Sequence, residues 1–251
     1  MFFEKRENLF VGRFPGWFDS PGLVHGFSTR RGGVSLPPYD SLNLGLNTDD
    51  RPESIEENVR RFCGAMGIRR ERIAFTKQVH GDRVQAVHAS GVVVDTDALI
   101  TDTPGLILAV QVADCVPVFL FDPVRKAAGI AHAGWKGSVL GIAAKAILSM
   151  SESFGSRPEN LQACIGPSIG PCCYEVGAEM VERFPPEYLN GNKLDLWRYN
   201  LDLLIRTGIQ SANATVSGLC TRCQTDWFFS HRAGGGRTGR MTGMIGISEK
   251  T

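Results

Sequence analysis

The sequence predicts an α+β fold, a layered α/β/β/α or α/β/α body, and three observations carry that prediction. Four segments with helical periodicity are spread among ten strand-like runs. The stretches 105–112 and 116–121, "GLILAVQV" and "VPVFLF", are uniformly apolar instead of alternating, as sheet covered on both faces requires. The 251 residues contain no repeat, low-complexity tract or linker, and Gly and Pro occur along the whole length, which points to one domain over 1–251.

The elements follow in chain order. "LVHGFST" reads as the first strand. In "RPESIEENVRRFCGAMG" Pro52 suits a first helical position, and Ser54 with Glu57 forms a capping box. Ile55, Val59, Phe62 and Met66 make one apolar stripe with Cys63 on the same side, and Gly67 is the stop. "RIAFTKQV", "RVQAVHA", "GVVVDTDALIT", "GLILAVQVA", "VPVFLF" and "AAGIAHA" are strand-like. "SVLGIAAKAILSMSESFG" places Val139, Ile142, Ala143, Ala146, Ile147 and Met150 on one helical face, with Gly155 after it. "QACIGP" is a strand; "GAEMVERF" and "LDLWRYNLDLLIRTGI" are helices, the second opening on Asp195 as N-cap. "TVSGL" and "MTGMIGIS" complete the strands.

Charge and composition exclude several classes. Lys and Arg number 27 against 26 Asp and Glu, a net charge of +1, so no whole-molecule field would hold nucleic acid or an anionic membrane. "MFFEKRENLF" carries acids early and no apolar h-region, so it is no secretory signal. The longest apolar stretch is interrupted by Gln111, Asp114 and Pro117 and falls short of the roughly 20 apolar residues a bilayer span takes. A soluble cytoplasmic protein is the expectation. Seven cysteines, an odd number, fit reduced thiols, metal ligands or a nucleophile better than a disulfide framework.

One of those thiols and two imidazoles sit at strand ends, where a rigid sheet can present them to a shared pocket. His80 lies in the turn "HGD", Cys115 in "VADCVP" and His132 in "IAHAGWKG". Two imidazoles and a thiolate would make a three-ligand zinc site that keeps a fourth position open, the arrangement of a catalytic centre. The residues alone leave two other readings open. Cys115 could be a thiolate nucleophile with His132 as base and Asp114 or Gln78 as orienter. Or the cysteine is a small buried hydrophobe and the histidines are satisfied polar groups.

Other stretches carry weaker signals. Cys220 and Cys223 in "LCTRC" have the spacing of half a zinc ribbon, but a closed site needs a second pair, and the adjacent Cys172 and Cys173 would point apart in a strand. "SHRAGGGRTGR" combines Arg232, Arg237 and Arg240 with glycines whose amides can approach an oxyanion, and "GFSTRRGGVS" repeats the theme with Arg30 and Arg31. Neither matches a phosphate-binding loop or dinucleotide fingerprint. Trp135 could offer a ring to a flat ligand, and Glu175, beyond the two Gly-Pro steps of "CIGPSIGPCCYEVG", is a candidate acid or base.

The set "KQVHGDRV", "DALITDTPGLILAVQVADCVPVFLFDP", "GIAHAGWKG", "CIGPSIGPCCYEVG" and "FFSHRAGGGRTGRMTG" resembles the bacterial laccase-domain family. That family was once described as polyphenol oxidases and later as purine nucleoside phosphorylases with adenosine deaminase and methylthioadenosine phosphorylase activities. The resemblance runs from residue 25 nearly to the C-terminus. It implies a four-layer α/β/β/α body with mixed sheets, similar to the catalytic domain of cytotoxic necrotizing factor toxins. It implies zinc, or copper in some descriptions, on His80, Cys115 and His132. The last motif departs from the pattern, with Ala233 and Gly234 where charged residues are expected.

Five histidines cannot supply the order of ten that a blue-copper site plus a trinuclear cluster requires, so multicopper oxidase chemistry is disfavoured. The expected function is a zinc-dependent purine nucleoside enzyme. Cys115 and a carboxylate, Glu175 or Asp114, would act in catalysis, and Arg30, Asn43, Lys77 and Gln78 would hold phosphate and sugar. The expected partners are purine nucleoside and phosphate, with neither nucleic acid nor membrane, and the chain is expected to be a monomer. A cysteine or zinc amide hydrolase acting on a cell-wall precursor is the competing enzyme class. A metal clip in an interaction module is the non-enzymatic alternative.

Overall fold

The two uniformly apolar runs fold as strands of different sheets, and this separation sets the architecture. The computed structural model describes residues 1–17 and 20–249. Its strands are β1 (Phe2–Arg6), β2 (Leu9–Arg13), β3 (Leu23–Ser28), β4 (Ile73–Lys77), β5 (Val84–Ala86), β6 (Gly91–Val94), β7 (Ala98–Thr101), β8 (Ile107–Val112), β9 (Val116–Asp122), β10 (Ala127–Ala133), β11 (Gln162–Ile165), a short pair β12 (Leu189–Asn190) and β13 (Lys193–Leu194), β14 (Ala214–Val216) and β15 (Met241–Ile247). The helices are α1 (Pro52–Met66), α2 (Trp135–Val139), α3 (Ile142–Phe154), α4 (Ala178–Val181) and α5 (Leu196–Arg206).

One sheet has the order β1-β2-β3-β15-β8-β4-β6 and the other β14-β11-β9-β10-β7-β5. Both are mixed: β8, β4 and β6 run parallel in the first, and the pairs β14–β11 and β5–β7 are parallel in the second.

Every residue of β8 and β9 is buried because each strand feeds two cores. Leu108 and Val110 of β8 meet Phe119 and Phe121 of β9 between the sheets. Ile107 and Ala109 turn to the other face, against Ile55, Val59, Phe62 and Met66 of α1. Val116, Val118 and Leu120 pack on Ile142, Ala146, Ile147 and Met150 of α3 and on Leu196 and Leu204 of α5. The layers are therefore α1, sheet, sheet, and α2/α3/α5, an α+β body with mixed sheets. Gly243 of β15 makes the intersheet contact possible, since a Cβ there would lie 2.7 Å from Phe119 Cζ. Among the described residues no helix is long and apolar enough to cross a membrane.

Local signals mostly hold, with physical reasons where they do not. Pro52 opens α1 and Gly67 closes it at φ 68°. The Ser54–Glu57 capping box is not formed: the N-cap is Arg51, and the Glu57 carboxylate is taken by Arg60 and Arg61, each at 2.7 Å. Asp195 caps α5 by accepting from the Arg198 amide at 2.9 Å. The segment 138–155 is broken at Gly141, φ 77°, so Val139 leaves the apolar face and is 36% exposed. "GAEMVERF" forms only the single turn of α4. "GVVVDTDALIT" divides into β6 and β7, one in each sheet. The β1–β2 hairpin carries no signal strong enough to stand out in a sequence that is apolar and charged by turns there.

His25 on β3 is a core histidine. It is 2% exposed, its Nε2 accepts from the Phe14 amide at 3.1 Å, and its ring stacks on Phe14. Burial, with the nearby Arg13, pushes its pKa down to about 3. The unfolded imidazole titrates near 6.5, so stability is complete above about pH 6.5 and falls as pH drops toward 3, by up to ~1.4 kcal/mol per unit. Denaturant unfolding of the protein and of His25→Gln at pH 7 and pH 5 measures this. The parent should lose more stability than the variant over that interval, and equal losses would refute the assignment.

Candidate active site

The register of one hairpin brings two distant ligands together. β9 and β10 are antiparallel with His132 opposite Pro117 and Ala133 opposite Val116, so Cys115, just before β9, meets His132 near the end of β10. His80 reaches the same place from the loop after β4, with a left-handed backbone at φ 58°. The three ligand atoms all lie within 4.8 Å of one another. The His80 and His132 rings meet edge-on at 4.8 Å between centroids. Gly134 lets them close: a Cβ there would lie 3.1 Å from both Cys115 Sγ and His80 Cδ2.

Asp97, fully buried at the start of β7, organises the set. Its Oδ1 accepts from His132 Nδ1 at 2.8 Å and from the His80 amide at 3.0 Å, while Oδ2 accepts from the amides of Gly81 (2.8 Å) and Val79 (3.1 Å). Burial alone would raise its carboxyl, but the His132 ring and these amides hold it below the usual carboxylate range. With Nδ1 donating to Asp97, His132 Nε2 is left as the ligand atom, the carboxylate–histidine pairing of metal sites. Burial opposes ionisation of Cys115, yet His132 and His80 beside it drive its pKa down, and the thiol and Asp97 drive that of His132 up. The thiolate that a metal needs is therefore the favoured form. An N₂S donor set, an orienting carboxylate and an open side fit a three-coordinate metal centre.

The open side faces a cavity of about 460 Å³. Trp135, Ile169 and Tyr174 line it with the amide side chains Gln78 and Gln111 and with His231, Arg232 and Arg240. Gln78 bridges like an extra strand residue: its Oε1 accepts from the Gln111 amide and its Nε2 donates to the Gln111 carbonyl, both at 2.8 Å. Arg240 donates to the carbonyls of Thr238 and Gly239, and Arg232 to that of Glu175; among the described residues neither guanidinium is hydrogen-bonded to a carboxylate. Among the described residues these two guanidinium groups form no ion pair, and they give the cavity donors that suit an anion, with the charges of Asp114 and the Cys115 thiol acting on Arg240 from the same cavity. Burial raises the Tyr174 hydroxyl to about 12, so it stays a neutral donor.

The structure brings together His80, Cys115, His132, Gln78 and Asp114 of the residues expected from sequence. It places Glu175, Arg30, Asn43 and Lys77 outside that cavity. Asp114 lines the cavity, and its carboxylate is held by Thr221 Oγ1 (2.6 Å), Ser230 Oγ (3.0 Å) and the Arg232 amide (2.7 Å), bonds that position Arg232. Glu175 is exposed and lies outside the cavity, with its backbone bridged to Lys193. Arg30 clamps two loops, donating to Asp40 and Thr225 beside a separate surface depression. Asn43 is fully buried and spends its amide on Thr48 and Asp50 and its carbonyl on the Gly45 and Arg240 amides. Lys77 points to solvent at the end of β4. Asp97, Gln111, Tyr174 and His231 are the residues that sequence reasoning passed over. Asp97 had one legible signal, an acid inside an apolar run that can be buried only if it is paired.

A family model described as "Multi-copper polyphenol oxidoreductase laccase" matches residues 24–248. The chain is 40% identical to the purine nucleoside phosphorylase of Deinococcus radiodurans, over 92% of each chain. It is 36% identical to the purine nucleoside phosphorylase YlmD of Bacillus subtilis, over 90% of this chain and 89% of that one. The crystal structure of YlmD from Geobacillus stearothermophilus superimposes with a TM-score of 0.92 at 34% identity, covering 98% of both chains.

Proposed function

Since the chain belongs to the multi-copper polyphenol oxidoreductase laccase family and its relatives are named purine nucleoside phosphorylases, we propose that it is a metal-dependent purine nucleoside phosphorylase. On this reading it acts as a single-domain cytoplasmic monomer on inosine, adenosine and methylthioadenosine. The observation that carries it is the pairing, in one cavity, of an open His80–Cys115–His132 set with two arginines that form no ion pair among the described residues.

Zinc is the ion proposed for these three residues, with copper as a competitor because it outranks zinc on most nitrogen and sulfur donors. When bound, such an ion supplies an electrophile that polarises a substrate atom and lowers the pKa of water. The protein's own groups do the rest. In phosphorolysis a phosphate oxygen forms a bond to sugar C1′ while the bond from C1′ to the purine nitrogen breaks, and the purine leaves with that electron pair and gains a proton. Arg232 and Arg240 hold the phosphate against C1′. Trp135, Ile169 and Tyr174 take the flat faces of the nucleoside and exclude water. His231 is the cavity group able to carry the proton. Deamination of adenosine is proposed as a second activity of the same open centre: a water oxygen bonds to purine C6, the bond from C6 to the amine nitrogen breaks, and the amine gains a proton and leaves as ammonia; Glu175 lies outside the cavity.

The purified protein with inosine and phosphate is expected to release hypoxanthine and ribose 1-phosphate. Arg240→Ala should raise KM for phosphate by roughly 10- to 100-fold, the worth of a charged hydrogen bond, and leave nucleoside KM nearly unchanged. Failure of the parent to turn over any purine nucleoside would sink the proposal. A second reading is favoured by one observation: Cys115, His132 and Asp97 lie in the order nucleophile, base and orienter of a cysteine hydrolase. Metal-stripped protein that cleaves an amide substrate and is stopped by a thiol alkylating reagent would support it over the metal centre.

A further inference from the structure

Four of the seven cysteines converge away from the cavity's ligand set. The sulfurs of Cys172, Cys173, Cys220 and Cys223 all lie within 4.8 Å of one another, and none is in a disulfide. Cys223 Sγ is 3.5 Å from Cys172 Sγ and 3.3 Å from Cys173 Sγ. Sequence alone suggested a strand in which Cys172 and Cys173 point apart and a CxxC with no partner pair. The chain instead turns here, with the Cys173 amide donating to the Gly170 carbonyl at 2.9 Å, and both sulfurs reach the same cluster. In the second loop the Gln224 amide donates to the Cys220 carbonyl, one helical turn that puts Cys220 and Cys223 on the same side. β11 and β14 are parallel neighbours, so the loops that follow them leave the sheet at the same end and the two pairs meet.

We propose that these four thiols are a second metal site, a closed four-thiolate zinc centre that clips the loop 166–176 to the loop 217–224. Zinc–sulfur bonds of about 2.3 Å in a tetrahedron put the sulfurs about 3.8 Å apart, inside the range of separations here. Soft thiolates select zinc over hard cations, and four of them leave no position for substrate, so the site is structural. The sulfurs have the donors such a site uses: the Gly170 amide to Cys220 Sγ at 3.3 Å, and Arg222 Nη1 to Cys173 Sγ at 3.6 Å, whose charge offsets part of the excess negative charge. The clip has a consequence for the cavity. Tyr174 follows Cys173 directly, and Thr221, between the CxxC cysteines, is the residue that holds Asp114 at 2.6 Å.

The two centres share no residue, so their tests separate. Protein kept under reductant and titrated with zinc against a chromophoric chelator should bind two equivalents. Cys223→Ser should bind one, Cys115→Ala one, and the double variant none. In Cys115→Ala loaded with cobalt(II), the strong thiolate-to-cobalt absorption of a four-sulfur tetrahedron should appear. A parent that binds one equivalent, lost in Cys115→Ala and kept in Cys223→Ser, overturns the second site and leaves the phosphorylase reading intact. One equivalent lost only in Cys223→Ser does the reverse to that reading's metal. Should Cys223→Ser fail to fold, alkylation of the unaltered protein mapped by mass decides: the exposed Cys172 and Cys223 should react at least tenfold more slowly with zinc than after chelation, and equal rates would overturn the site.

Discussion

Cys115→Ala is expected to lower kcat/KM for inosine phosphorolysis by on the order of 10³-fold or more. An electrophilic metal contributes several kcal/mol to a transition state, and each 1.36 kcal/mol is a factor of ten. The thiol is the only sulfur in its set, and the two imidazoles that would remain form a weak site by themselves. The substitution removes one atom at a cavity surface, so Tm should move by little when parent and variant are both compared free of metal. Steady-state assays with metal analysis on the same preparation check both halves. Full turnover in a variant that has lost the metal would end the metal-dependent reading. Chelation of the unaltered protein adds the complementary arm: it should abolish phosphorolysis, whereas a Cys115 nucleophile would survive it.

The second large effect is expected at Asp97, which contacts no substrate and acts through its neighbours. Asp97→Asn places an amide NH₂ where the carboxylate now accepts from His132 Nδ1 or from the amides of Val79, His80 and Gly81. Whichever way that amide turns, donors face donors. The loop carrying His80 loosens, and the His132 ring loses the acceptor that fixes its tautomer. Loss of such an orienting partner typically weakens metal binding 10- to 100-fold. A competition titration should show that loss, and excess metal should restore part of the activity, which a merely misfolded variant would not allow. Metal affinity within twofold of the parent would show that the carboxylate is dispensable.

These effects depend on residues that differ in how legible they are. α1 and α5 could be read because their signals are local: a stripe at helical spacing, Pro52 and Gly67 at the ends, Asp195 at the cap. The capping box failed because a half-buried glutamate has two arginines within a turn, and a side-chain ion pair competes with an amide for the same oxygens. The helix at 138–155 broke because Gly141 takes a left-handed backbone that periodicity does not register. His80, Cys115 and His132 stood out as scarce residue types at strand ends, and the family resemblance singled them out together. Asp97 did not, since an acid inside an apolar run signals only that it needs a partner, and its four donors come from other parts of the fold. Arg30 and Asn43 looked like ligand-binding groups for the opposite reason: a polar side chain facing a loop carbonyl or another side chain has the same letters as one facing a substrate.

By itself the sequence determined the segments, the uniform burial of 105–112 and 116–121, the scarcity of histidine that argues against a multicopper oxidase, and the residue types able to hold a metal. Only the tertiary structure decided which partner each polar group has. The register that seats His132 beside Cys115, the crossing that carries Asp97 from one sheet to the other, and the parallel pairing that joins Cys172–Cys173 to Cys220–Cys223 each link positions far apart in the chain. Propensity and periodicity act over a few residues and are written locally. A buried charge or a thiol cluster is stabilised only by groups that the packing of two sheets brings within hydrogen-bond distance, and no local pattern encodes that meeting.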